Sequence, residues 1–218
     1  MTWQTLVAAV LAVLGIAASA SAHTVIDLRA DVPATSDERT IEADGEAWHV
    51  VGERSRLSLP RTWGPHRALT LRATADSPVV EVRPGPFVQW GAEGERVDEH
   101  AAGTSPGFWH GEAVLYPAVV PFVTDQFTPT PDGVKYDALV ESPAVLHPHA
   151  VRYGRLATLR LPRGWDLHPS SEGGFDVIDV DGTIHAHVHP VETFEAVEGP
   201  AHLGSLRLEG AAVHDAEG

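Results

Sequence analysis

The chain has 218 residues, with 15 Lys and Arg against 30 Asp and Glu and a formal net charge of -15. That balance excludes nucleic acid and anionic membrane surfaces as ordinary partners, and suits a protein that attracts cations. Cys is absent and Met occurs only at position 1, so any metal must be held by imidazole, carboxylate, backbone or water. Disulfide frameworks, blue-copper sites, iron–sulfur clusters and Met-rich Cu(I) carriers are excluded.

Leu6 to Ala18 form an apolar run without charge, followed by Ala20-Ser21-Ala22, a small-x-small cleavage signal. The run is shorter than the ~20 apolar residues a membrane span needs, and no second such stretch follows. Residues 1–22 therefore read as a secretory signal peptide, with His23 first in the mature chain. A cut after Ala20 would leave Ser21 first. The expected location is secreted or periplasmic, without stable membrane insertion.

An internal repeat follows. Leu57-Ser58-Leu59-Pro60-Arg61-Thr62-Trp63, with His66, recurs as Leu159-Arg160-Leu161-Pro162-Arg163-Gly164-Trp165, with His168. Upstream, Ala30 to Pro33 matches Ala118 to Pro121, and His49-Val50-Val51 matches His149-Ala150-Val151. Downstream, Val79 to Pro84 falls on His185 to Pro190. The order of these matches predicts a tandem duplication, 23–105 and 106–218, with Ala92 to Gly107 as linker. Trp63 and Trp165 are expected to cap a core, while Trp48, Trp90 and Trp109 are freer.

Apolar residues alternate in Ala68 to Arg72, Val79 to Arg83, Ala157 to Leu161 and Phe175 to Val180, which is the period of half-buried strands. Asp44-Gly45, Asp132-Gly133 and Asp181-Gly182 are turn signals, the last between two such runs. Seventeen Pro and twenty Gly punctuate short segments. The pattern predicts an all-β protein of two tandem small β-sandwich or barrel lobes, cupredoxin-like or jelly-roll-like, sharing one core or holding two.

His185, His187 and His189 alternate in the last of these strands, so all three project from one face. Side chains two apart on a strand stand ~7 Å apart, within reach of one ion. Two such imidazoles and one donor from elsewhere make a workable set for Zn or Cu. The first repeat carries Val79, Glu81 and Arg83 at these positions, so the histidines belong to the second copy only. His147-Pro148-His149 has the same spacing. His23 is the second candidate, because a mature N-terminal His offers its α-amine and imidazole together.

His23 with His187 and His189 resembles the histidine brace of copper polysaccharide monooxygenases. It also resembles the soluble copper-binding subunit of particulate methane monooxygenase, in which an N-terminal His joins a His-x-His pair on a cupredoxin strand. That resemblance implies copper, held by these three residues, with His185 as replacement or support. His185-x-His187, Glu192 and Gly199 also resemble part of the first cupin motif, which implies Fe, Mn or another metal in a β-barrel, with His202 or His214 as the later ligand. No H-E-x-x-H, P-loop or dinucleotide fingerprint is present. The expectation is an exported protein binding one metal ion through His23, His185, His187 and His189, copper first and zinc second. A metal-dependent oxidoreductase and a non-catalytic cell-envelope module are the alternatives.

Overall fold

The computed structural model describes the backbone of residues 4–12, 20–28, 39–140, 147–150, 152–189, 192–195, 202–203 and 205–208. Side chains are described for 39–140, 147–150 and 153–189. Among the described residues every regular element is a strand. The first are β1 (Gln4–Ala12), β2 (Ala20–Leu28), β3 (Thr40–Ala43), β4 (Ala47–Val51), β5 (Arg56–Pro60), β6 (Thr62–Trp63) and β7 (Leu69–Arg72). Then come β8 (Val80–Trp90), β9 (Arg96–His100), β10 (Ser105–Pro106), β11 (Phe108–His110), β12 (Ala113–Val120), β13 (Val123–Pro129) and β14 (Gly133–Val140). The last are β15 (Arg152–Leu161), β16 (Asp166–Pro169), β17 (Phe175–Ile178), β18 (Ile184–Val188), β19 (Glu192–Glu195), β20 (His202–Leu203) and β21 (Ser205–Leu208).

Two large antiparallel sheets result, consistent with a β-sandwich. One runs β21-β1-β15-β8-β7-β5-β4-β3, with β9 also on β8; the other runs β11-β12-β13-β14-β2-β18-β17-β16, with β19 also on β2. A short pair, β10-β6, stands apart. The three turn signals close hairpins as expected. Asp44-Gly45 joins β3 to β4, Asp132-Gly133 leads from β13 into β14, and Asp181-Gly182 joins β17 to β18. At the last of these Gly182 has φ +80, a conformation that costs a side chain strain.

Alternation places Leu57 and Leu59 of β5, Leu69 and Leu71 of β7, and Val177 of β17 inward, all nearly inaccessible. One core cluster takes Trp48, Leu59 and Trp63 from the first half and Tyr116, Phe127, Val177 and Val188 from the second. Both sheets also mix strands of the two halves, and the repeated Leu-x-Leu strands β5 and β15 lie in the same sheet. The halves thus share one core. Other expectations are corrected. The segment 92–107 contains β9 and β10 rather than a plain linker, because Arg96 to His100 pairs with β8. Trp48 and Trp90 are 6% and 3% exposed, so they are core residues and not a free platform.

Charge is buried at the centre. Asp125 of β13 is 0% exposed. It accepts hydrogen bonds from Trp63 Nε1 at 2.8 Å, Tyr136 OH at 2.8 Å and Arg155 Nη2 at 3.0 Å. Arg155 also donates to the Gly85 carbonyl. Burial opposes the Arg155 charge, and the Asp125 carboxylate more than offsets it, leaving that pKa above its ordinary value. Burial first, and Asp125 second, push the Tyr136 hydroxyl well up, so it stays a donor. The network joins β13 and β14 of one sheet to β15 and β8 of the other, so it pins the sandwich in register.

The apolar run expected to be removed with the leader contributes β1, which pairs with β15 from Tyr153 to Leu161 in the uncut chain. Cleavage after Ala22 would open that edge and take Ala20 to Ala22 from β2. No helix among the described residues is long and apolar enough to cross a membrane.

Candidate metal centre

Strand β18 lies between β17 and β2. Ala186 and Val188 point into the core. His185 and His187 occupy the opposite face, as alternation requires. Beyond that common face, the structure separates the three histidines.

His187 is 1% exposed, and its backbone partner across the β17–β18 ladder is Asp176. The two side chains meet, with His187 Nδ1 2.6 Å from Asp176 Oδ1. A carboxylate only accepts here, so Nδ1 carries the proton, and in the neutral ring Nε2 holds the lone pair. That Nε2 is buried and has no hydrogen-bond partner among the described residues. A buried polar atom left unsatisfied costs about 1–3 kcal/mol, which makes this orphan informative. The His189 ring stands 4.6 Å from the His187 ring, nearly perpendicular at 88°. Carboxylate, imidazole and free Nε2 form the usual outer support of a metal-ligating histidine.

His185 is engaged elsewhere. Its Nε2 lies 2.7 Å from Asp179 Oδ2, and its ring stacks on Trp165 at 4.1 Å and 11°. Asp179 Oδ1 also accepts from the Asp181 and Thr183 amides. The His185 hydrogen bond, followed by that from Thr183, holds the Asp179 carboxyl below its ordinary range. Trp165 packs partly buried against the core, as the repeat suggested, and also forms the floor under His185.

His23 lies within β2, the strand next to β18. Its backbone is in register with Asp137 of β14 and Glu192 of β19. His187 is in register with Asp27 of the same strand. Four residues of strand separate the two rows, a rise of ~13 Å. His189 follows Val188, whose partner is Ile26, and so lies nearer the His23 row. Asp137 is 2% exposed, with Lys135 Nζ at 3.2 Å and Gln126 Nε2 at 3.2 Å. The cupin-type residue Glu192 thus stands opposite His23, and His202 stands opposite Thr193. Gly199 and His214 lie outside the described residues, as do the side chains of His23, Glu192 and His202.

Among the described residues no three His, Asp or Glu side chains converge on one ion position. The structure brings His187 and His189 together, diverts His185, and places His23 on the adjoining strand. His147 and His149 form a separate pair, ring centroids 5.5 Å apart. There the His149 amide donates to His147 Nδ1 at 3.3 Å, and the His147 amide donates to Gln89 Oε1 at 2.6 Å. Residues missed at the sequence level are Asp176 and Asp179. A signal existed, because counting outward from the Asp181-Gly182 turn brings Asp176 close to His187. Comparison with protein-family models, curated proteins and solved structures gives no match for this chain.

Proposed function

We propose that this is an exported protein, mature from His23, that binds one divalent transition ion. His187 and His189 supply the first two ligands and His23 the third; Cu(II) is preferred and Zn(II) is second. Secretion or periplasmic release follows from the leader, and storage, delivery or sensing of the ion is the role. A cupredoxin-like arrangement around β2 and β18 belongs to the same proposal.

The observation that carries it is the buried Nε2 of His187, which has no hydrogen-bond partner among the described residues, with Nδ1 held by Asp176. Imidazole donors without sulfur suit both ions, and copper binds such sets more tightly. His185 supports the site from outside, since Asp179 and Trp165 hold it. Three protein ligands would leave coordination positions open. That openness favours, as a second reading, a histidine-brace or cupin-like oxidoreductase at the same place.

The test joins the mature N-terminal mass to copper affinity, using protein exported with its own leader. A variant with one extra residue before His23 is the control. A chain starting at His23 that binds one Cu(II), and a control that binds far more weakly, are expected. A mature end elsewhere, or an extension without effect, removes His23 from the site and leaves His187 and His189, with Zn(II) the next ion to try. If no ion raises the melting temperature, the metal proposal fails and a non-catalytic envelope module takes its place.

A further inference from the structure

The opposite sheet carries a second feature, independent of the histidines. On the outer face of β3, β4, β5 and β7 lies a groove of about 260 Å³. Glu42, His49, Arg56, Ser58, Thr70 and Arg72 supply its polar lining. The apolar neighbours Leu57 and Leu71 turn inward, so the polar residues of β5 and β7 face solvent together.

The register brings like charges face to face. Arg56 pairs directly with Arg72 across the antiparallel ladder, and Ser58 pairs directly with Thr70 in the next row. Directly opposed like charges destabilise a sheet. Among the described residues neither arginine has a carboxylate partner. Arg72 donates from Nη1 to the Ala75 carbonyl at 2.9 Å, and the Arg56 guanidinium makes no hydrogen bond among the described residues. The hydroxyls of Ser58 and Thr70 are likewise uncommitted among the described residues. Two acids border this row: Glu42 stands opposite His49, two strands from Ser58, and Glu81 stands directly opposite Thr70, its carboxylate engaged by Arg83 and Arg160. His49 itself is occupied by Asp44, 3.0 Å from its Nε2.

The same face continues with Arg83 and Arg160, which both lean on the single carboxylate of Glu81, at 3.1 Å and 3.7 Å. A chain of net charge -15 therefore concentrates arginine on one sheet face. Two forked guanidiniums across adjacent strands, flanked by two hydroxyl donors, match an oxyanion with several acceptor oxygens. An ammonium would not give this fork, and the chain has a single lysine, Lys135, on the other sheet.

We infer that this groove is an anion site that takes a sulfate or phosphate group between Arg56 and Arg72, with Ser58 and Thr70 donating to its remaining oxygens. The group is either the free oxyanion or its ester on a small polyol such as a sugar. The bound anion relieves the repulsion that the register imposes.

Calorimetric titration of the full chain with sodium sulfate, inorganic phosphate, glucose 6-sulfate and glucose 6-phosphate, at constant ionic strength, tests this. Saturable millimolar binding of one anion is expected. Arg56→Gln and Arg72→Gln should each weaken it about tenfold, and the double variant should abolish it. Tighter binding of the esters names a sugar-borne group, and tighter binding of the inorganic ions names the free oxyanion. Sulfate stabilises proteins generally by exclusion from their surfaces, so melting temperatures of wild type and double variant are compared at equal sulfate. A larger rise in the wild type supports the site. Equal rises, or binding that survives in the double variant, overturns it. Without added anion either single variant should be at least as stable as wild type, which separates this role from a merely structural one.

Discussion

Replacing Arg155 by Met should be among the most damaging single changes in this protein. Asp125 and Arg155 are 0% and 3% exposed, and the guanidinium meets the carboxylate at 3.0 Å. Removing the cation leaves a buried carboxylate with, among the described residues, only Trp63 Nε1 and Tyr136 OH as donors. Breaking a buried pair from one side costs about 3–5 kcal/mol. For a chain of this size each kcal/mol lowers the melting temperature by roughly 2–4 °C, so a fall of about 6–20 °C is expected. The double variant Asp125→Leu, Arg155→Met removes both charges. It should lose less than the sum of the two single losses, although the Trp63 and Tyr136 donors then lose their acceptor at about 1–3 kcal/mol each. Thermal and urea unfolding, followed by tryptophan fluorescence and circular dichroism, measure the wild type, the single variants Asp125→Leu and Arg155→Met, and the double variant, and give the coupling energy. A fall below about 3 °C for Arg155→Met, or a coupling energy near zero, would refute the view that this pair pins the two sheets.

Three further outcomes concern the outer faces. Asp176→Asn should lower copper or zinc affinity by about 10–100-fold without unfolding the chain, because an amide no longer fixes the proton on His187 Nδ1. Nitrogen NMR of the His187 ring reads the tautomer directly. His185→Ala should change that affinity little, since Asp179 holds His185; a loss equal to that of His187→Ala would make His185 a ligand. The Asp44 carboxyl is lowered from 3.8 to about 2, by the His49 hydrogen bond first and then by the Glu46 and Ala47 amides. The folded pKa lies below the unfolded one. The stabilisation is therefore present above about pH 3.8 and is lost as pH falls towards 2. A carboxyl NMR titration should show that low midpoint and its return towards the ordinary value in His49→Ala; a midpoint near 3.8 in the wild type would count against the hydrogen bond.

Much of the local structure was legible in the chain. Period-two alternation is a property of neighbouring residues, so β7, β8, β15 and β17 could be read directly, and so could the shared face of His185 and His187. The turn pairs Asp44-Gly45, Asp132-Gly133 and Asp181-Gly182 carry their own backbone preference and marked the hairpins. The repeat correctly singled out Trp63 and Trp165 as packing residues. What it did not convey is that aligned strands need not share a sheet: β8 and β18, matched in sequence, lie in different ones.

The sequence by itself determined strand content, the turns, the absence of sulfur ligands and the candidate histidines, because each depends on residue type or short-range spacing. Only the tertiary structure decided which histidine has a free nitrogen, which one lies on Trp165, and that Arg56 faces Arg72. Those facts depend on which strands pair and in what register. Backbone hydrogen bonds are alike for every strand pair, so no local pattern names a partner. The choice is made by burying one core between two sheets, with Asp125 and Arg155 fixing them at its centre.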